Sequence, residues 1–188
     1  MTTHHATPEG TPQVTEILAQ WVVSMKGRDI APEVRREGLR TFVNWMGCAV
    51  GGASHETVDR ALAAIDPFSG PRIATVIGRT EHLDAAHAAL INGISSHVLD
   101  YDDTHLKTII HPAGPVASAL LALAEMRPMS GEDFLTALII GIEVECRIGN
   151  SVYPNHYDRG WHITGTAGVF GAAAAVGKAI GLSRLQMQ

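Results

Sequence analysis

The chain has 188 residues, of which 46% are hydrophobic and 18% are charged, and its formal net charge is −5. This balance predicts a folded domain with a sizeable buried core and excludes an intrinsically disordered chain. The basic residues are scattered along the sequence and form no basic stripe, so no nucleic-acid partner is expected.

In the first half of the chain, the sequence predicts a flexible leader, three helices and one short strand. Residues 1–13 show no apolar repeat and are expected to be a flexible leader, which leaves residues 14–188 as the domain. Apolar residues at helical spacing predict helices from Val14 and from Pro32, a residue suited to a first helical turn. After another short helix, residues 73–78 form a β-branched run that predicts a strand.

The second half repeats the helical pattern four times. Helices are predicted over residues 83–100, 111–126, 130–150 and 161–182, with Ser130 as the N-cap of the third. Ser183 is predicted to be the N-cap of another helix that barely begins before the last residue. There is no alternating β–α pattern. The sequence therefore predicts a mainly α fold, a helical bundle-like domain with a minor β excursion near residues 73–78.

Two features bear on the cellular compartment. The segment 163–182 is long enough to span a bilayer, but its Thr residues, Lys178 and many small residues favour a tightly packed internal helix. Cys48 and Cys146 lie far apart in apolar helical patterns, which indicates buried thiols rather than a disulfide framework. A cytoplasmic protein with no membrane partner is expected.

The stretch DYDDTHLKTIIHPAG, residues 100–114, concentrates titratable side chains in an otherwise apolar chain. Three interpretations remain open: a solvated turn, a metal site, and general acid–base chemistry on a small acid. A metal is disfavoured because the stretch lacks the glycine and glutamate of an EF-hand and an HExxH pair. In the third interpretation His111, beside a helix N-terminus, carries the proton, and Asp100 orients it or acts as a second base.

Other polar residues have weaker or separate claims. His162 begins a Gly/Thr-rich helix whose N-terminus could hold a carboxylate. His87 and His97 fall within a helix and are expected to be packed or capped. Asn92 and Ser95 are candidate polar residues of a pocket wall.

The runs DAAHAALINGISSHVLDYDDTH, HPAGPVASALLALAE and WHITGTAGVFGAAAAVGKAIGLS resemble the MmgE/PrpD family. The resemblance implies a mostly helical domain joined to a smaller α/β lid domain, dimerisation, and chemistry on small polycarboxylates without a metal or organic cofactor. It also implies that the chain is the front portion of a longer enzyme. Members remove or add a proton next to a carboxylate, with dehydration, decarboxylation or epimerisation as the outcome.

The resemblance also implies site residues. The active-site Asp and Thr of the family match Asp100 and Thr104, and its two histidines match His111 and His162. The predicted catalytic residues are therefore Asp100, His111 and His162. The predicted substrate-binding residues are Thr104, Asp103 and Lys107, the last being the one Lys or Arg within the DYDDTH–HPAG block.

The predicted function is a lyase or isomerase acting on a small polycarboxylic acid, with 2-methylcitrate dehydration placed first. The alternatives are cis-aconitate decarboxylation, iminodisuccinate epimerisation, or a catalytically silent helical dimerisation module. The expected partners are the substrate, a second copy in a homodimer, or the remaining part of the same enzyme. Weak or no turnover is expected from these 188 residues alone.

Overall fold

The structure, a computed structural model, describes residues 13–188, so the predicted flexible leader lies outside the described residues apart from Gln13. A two-stranded antiparallel sheet pairs β1 (Ala74–Thr75) with β2 (His82–Leu83). Short 3-10 turns occur at Gly27–Asp29 and Asp66–Phe68. The helices of the described chain are α1 (Val14–Ser24), α2 (Pro32–Gly52), α3 (Glu56–Ile65), α4 (Ala85–His97), α5 (Ala113–Met126), α6 (Gly131–Val152), α7 (Asn155–Asp158), α8 (Ile163–Ile180) and α9 (Arg184–Met187). The predicted mainly α fold class is confirmed.

Helix α5 lies at the centre of the domain. Ala113, Val116, Ala117 and Leu120 are completely buried, and α2, α4, α6 and α8 all pack against this helix. Burying one Val or Leu side chain contributes about 1.5–3 kcal/mol to stability. The start of α5, just after His111, is therefore firmly anchored in the core.

Helices α6 and α8 approach each other through glycines. A Cβ atom on Gly141 would lie 2.7 Å from the Gly171 carbonyl oxygen, and one on Gly171 would lie 2.8 Å from the Gly141 oxygen. By length and composition α8 could cross a membrane, but its face against α5 and α6 belongs to the core. Its Lys178 ammonium donates a hydrogen bond to the Val23 carbonyl oxygen at 2.9 Å.

The β excursion is shorter than the sequence predicts. Only Ala74 and Thr75 of residues 73–78 pair with another strand. The Ile77 backbone N–H instead donates to the Asn92 side-chain oxygen at 2.9 Å, and the Asn92 amide donates to the Thr75 carbonyl oxygen at 2.9 Å. Asn92 therefore replaces a strand partner, and its prediction as a pocket-lining residue is wrong.

Candidate active site

Three helix ends meet at one end of a cavity of about 640 Å³. His97 is the last residue of α4, His111 lies two residues before α5, and His162 is the N-cap of α8. The ring centroid of His97 is 4.7 Å from that of His111 and 6.1 Å from that of His162. The rings of His111 and His162 are nearly parallel, at 6.4 Å. These three residues are called the imidazole cluster below.

One buried carboxylate contacts two members of the imidazole cluster. Asp102 places its oxygens 3.0 and 3.1 Å from Nδ1 of His97, and Oδ1 lies 3.5 Å from Nδ1 of His111. The Asp102 side chain has no exposed surface. A carboxylate at Nδ1 favours the tautomer with the proton on Nδ1, which leaves Nε2 free to exchange a proton with a substrate. Asp102 thus holds the His97 ring by a hydrogen bond and places a negative charge beside Nδ1 of His111.

The structure brings two further predicted residues beside His111. Asp100 adopts a left-handed backbone conformation with φ of 56°, and its exposed carboxylate lies 3.7 Å from Nε2 of His111. The Thr104 hydroxyl lies 3.4 Å from Nδ1 of the same ring. Asp100 is therefore on the solvent side of His111, opposite Asp102, and its catalytic role stays a prediction.

Asp103 and Lys107 do not line the cavity. Both Asp103 oxygens accept a hydrogen bond from the Ala113 backbone N–H at 3.3 Å, at the first residue of α5. Burial and, to a smaller extent, the nearby Asp102 carboxylate raise the pKa of Asp103 to about 7. Lys107 is exposed to solvent. The structure therefore gives Asp103 a helix-capping contact and leaves Lys107 outside the cavity.

Thr164, which was not among the residues predicted from the sequence, links the segment before α5 to the start of α8. The Thr164 hydroxyl, in the first turn of α8, accepts a hydrogen bond from the His111 backbone N–H at 3.0 Å. This contact ties the segment that carries His111 to the helix that begins at His162. The Gly/Thr-rich start of α8 was the sequence signal for it.

Comparison with known proteins identifies the family of the chain. The MmgE/PrpD N-terminal domain matches residues 16–188. The chain belongs to the MmgE/PrpD family. It is 33% identical over 97% of its length to the cis-aconitate decarboxylase-like protein oryM of Aspergillus oryzae, 32% identical over 90% to the cis-aconitate decarboxylase of Mus musculus, and 28% identical over 100% to that of Aspergillus terreus.

These matches cover 39%, 36% and 40% of the three relatives. The chain therefore spans about two-fifths of the length of the curated relatives it matches. The resemblance noted in the sequence is confirmed at the level of the family, and the MmgE/PrpD match includes every residue of the imidazole cluster.

His97 is the clearest correction within this MmgE/PrpD domain. The sequence predicts that His87 and His97 are both packed or capped, and His87 does pair with Asp84 at 2.6 Å beside the start of α4. His97 instead lines the cavity. Its spacing from Ala89 and Gly93, at i, i+4 and i+8, places it on the cavity face of α4 and was the available signal.

The MmgE/PrpD site also contains a possible metal-ligand set. His97, Asp100, Asp102 and His111 each offer one ligand atom, and these atoms lie up to 4.8 Å apart. A tetrahedral zinc site needs ligand atoms about 3.4 Å apart, and Asp102 already contacts both imidazoles. The geometry fits a hydrogen-bonded acid–base set better than a closed zinc site. The expected absence of a metal stays a prediction.

Behind the cavity wall lies a second unusual carboxyl group. Glu145 on α6 is completely buried, and neither of its oxygens has a hydrogen-bond partner in the described part of the chain. Burial raises its pKa to about 9, with a smaller contribution from Asp103. Glu145 is therefore an uncharged acid at neutral pH, packed against Gly168 and Gly171 of α8.

Proposed function

We propose that this domain carries the proton-transfer groups of a lyase that acts on a small polycarboxylate, with decarboxylation of cis-aconitate as the first candidate. The observation that carries the proposal is the imidazole cluster at one end of a single cavity, with two of its rings held by the buried Asp102. The similarity to cis-aconitate decarboxylases and to a cis-aconitate decarboxylase-like protein supports the choice of reaction.

The geometry offers a donor for the one proton that decarboxylation of cis-aconitate requires. When carbon dioxide leaves cis-aconitate, the electrons of the broken C–C bond form a new double bond, the old double bond shifts, and the far carbon takes up one proton. A positioned imidazolium can donate that proton. His111 would act through Nε2, since its Nδ1 faces Asp102, and His162 would act from the facing wall.

The start of α8 is the best candidate for holding a substrate carboxylate. Its N-cap, His162, makes no side-chain capping bond, so the backbone N–H groups of the first turn remain available to an anion. At the start of α5, in contrast, the Ala113 N–H is already bound by Asp103. The anion would therefore lie on the α8 side of the cluster.

Dehydration of 2-methylcitrate is the second candidate. It needs one group to remove a proton and another to protonate the departing hydroxyl, and the parallel rings of His111 and His162 on facing walls could supply both. Epimerisation of iminodisuccinate would use the same pair as two bases. All three reactions are proposals for the protein at full length.

The test is an NMR screen of the full-length protein against citrate, 2-methylcitrate, cis-aconitate and iminodisuccinate. We expect consumption of cis-aconitate with release of carbon dioxide. The His162→Asn variant should lower kcat by about 10²–10⁴-fold while its thermal unfolding stays the same. A folded protein that consumes none of the four would favour the catalytically silent dimerisation module.

The proposal extends to the compartment, oligomeric state, cofactor and partners of the enzyme. It acts as a cytoplasmic homodimer, without an organic cofactor, a nucleic-acid partner or a membrane partner. Light scattering on the purified protein would give its mass in solution, and a monomer at micromolar concentration would contradict the dimer.

A further inference from the structure

His97 has the most complete hydrogen-bonded pair of the imidazole cluster. Its Nδ1 lies 3.0 and 3.1 Å from the two oxygens of Asp102, within the usual range of a hydrogen bond. The Nδ1 of His111 lies 3.5 Å from Oδ1 of the same carboxylate, which is too far for a strong hydrogen bond. Asp102 therefore pairs first with His97, a residue to which the proposed function assigns no step.

Of these two rings, His97 is the one that substrate and water reach more easily. Both residues line the cavity, but the His97 side chain is 44% exposed and that of His111 only 10%. Because the two ring nitrogens lie on different edges, binding of Nδ1 to Asp102 leaves the Nε2 of His97 on the edge away from this carboxylate. Among residues 13–188, the hydrogen bonds of the His97 ring are made at Nδ1. Its Nε2 is therefore free to exchange a proton.

The three rings of the imidazole cluster surround one position. The centroid of His97 is 4.7 Å from that of His111 and 6.1 Å from that of His162, and the other two centroids are 6.4 Å apart. With three sides of such similar length, a substrate that contacts two of the rings also lies beside the third. His97 is therefore close enough to protonate the substrate that His111 and His162 contact.

The neighbouring carboxylates determine which ring is the better proton donor. A carboxylate that accepts a hydrogen bond from Nδ1–H stabilises the imidazolium form of that ring. One carboxylate balances one such charge, and Asp102 makes its hydrogen bonds with His97. The Asp100 carboxylate lies 3.7 Å from Nε2 of His111, but it is 79% exposed, so solvent weakens its effect on that ring. The contacts therefore favour the imidazolium form at His97.

We propose that His97 is a catalytic residue and that its Nε2 donates the proton that decarboxylation of cis-aconitate requires. This inference rests on the proposed function and assigns the donor within the imidazole cluster, with His111 and His162 on the two flanking sides of the substrate. As the C–C bond to the departing carbon dioxide breaks, its electron pair forms the new double bond. The pair of the old double bond takes the proton from Nε2. The N–H electrons stay on the ring, which becomes neutral and regains a proton from water.

The first experiment is His97→Asn in the full-length protein. The asparagine amide can still donate a hydrogen bond to Asp102 but has no atom at the position of Nε2, so the variant separates holding Asp102 from donating a proton. We expect kcat for cis-aconitate to fall about 10²–10⁴-fold, with a much smaller change in KM and the same thermal unfolding. An unchanged kcat would overturn the inference and leave the proposed function intact.

The matched control is His87→Asn, the same change on the same helix. His87 also pairs with an aspartate, Asp84, at 2.6 Å, but it does not line the cavity. This variant should keep the kcat of the unmodified protein, and an equal loss in both variants would overturn the inference. If the unmodified full-length protein consumes none of the four acids of the NMR screen, the proposed function and the assignment of the donor are both overturned.

A second experiment supplies the missing ring from solution. His97→Ala leaves an opening beside a cavity of about 640 Å³, into which imidazole can diffuse. Added imidazole should raise the kcat of this variant at least about tenfold by general acid catalysis. Pyrrole, a ring of the same size that is no acid–base group at neutral pH, should have no effect. If imidazole restores no activity to a folded His97→Ala protein, His97 is only a structural support and the inference is overturned.

Discussion

At the scale of single residues, Asp102 has the greatest influence on the site. Among residues 13–188 it is the one buried carboxylate that contacts both His97 and His111. Both contacts are made at Nδ1, as a hydrogen bond to His97 and as a 3.5 Å approach to His111, so this buried carboxylate favours a proton on Nδ1 of both rings. Asp100 approaches His111 from the solvent side and at a longer distance.

We predict that Asp102→Asn lowers kcat by about 10²–10⁴-fold, because an amide can stabilise the wrong tautomer of either ring. The measurement is kcat and KM for cis-aconitate with the full-length protein, and KM should change much less than kcat. Glu33→Gln, at an exposed position of α2, is the control and should behave like the unmodified protein. Equal activity of Asp102→Asn would remove Asp102 from the mechanism.

Glu145 offers a second prediction, on stability. Its pKa is raised from 4.5 to about 9 in the folded protein, so between these pH values the folded state holds a proton that the unfolded state has released. The contribution of Glu145 to the free energy of unfolding is therefore largest below pH 4.5 and decreases as the pH rises towards 9. Glu145→Gln removes this dependence, so relative to the unmodified protein the variant should gain roughly 2–4 kcal/mol between pH 5 and pH 8.

Urea unfolding at several pH values measures the effect. The control is Glu143→Gln on the same helix, which removes only a partly exposed ion pair with Arg147, worth about 0–1 kcal/mol. A pH-independent difference between Glu145→Gln and the unmodified protein would mean that Glu145 is ionised when buried.

At the scale of elements, the close approach of α6 and α8 holds one wall of the site in place. A Cβ on Gly171 would lie 2.8 Å from both the Glu145 Cβ and the Gly141 carbonyl oxygen, and these atoms cannot swing away as a flexible side-chain end could. Gly171→Ala should therefore destabilise the protein by about 1–3 kcal/mol in urea unfolding.

The matched variant is Gly47→Ala in α2, where an added Cβ has no neighbour within 4 Å. Alanine should stabilise this exposed helical position by about 0.5–1 kcal/mol. Opposite signs for the two Gly→Ala changes would support close packing at Gly171, whereas equal signs would contradict it.

The starts of helices could be predicted from the sequence where residues at the helix N-terminus determine them. Pro32 begins α2, and the Ser130 and Ser183 hydroxyls accept hydrogen bonds at the starts of α6 and α9, as the sequence predicts. The short length of the strand near residues 73–78 could not be predicted in this way, since Asn92 on α4 takes the place of a strand partner at Ile77. Likewise, the contact between His97 and Asp102 depends on the turn through Asp100, whose left-handed backbone no local pattern required.

At the scale of the whole molecule, the cavity lacks a positive anchor. In the described range, 13–188, no Lys or Arg lines it, although a polycarboxylate needs positive charge or N–H groups at each carboxylate. The helix N-terminus of α8 can hold one carboxylate. The others would keep their hydration and bind loosely.

We therefore predict that the 188-residue chain, expressed by itself, unfolds cooperatively but turns over cis-aconitate poorly. Losing one well-placed charge-stabilising group typically costs about 10²–10³-fold in rate, so kcat/KM should be at least about 100-fold below that of the mouse cis-aconitate decarboxylase assayed in parallel. The control for folding is a single sharp transition in urea. Turnover comparable to that of the mouse enzyme would mean that the imidazole cluster, Asp102 and the α8 N-terminus suffice to hold and protonate the substrate.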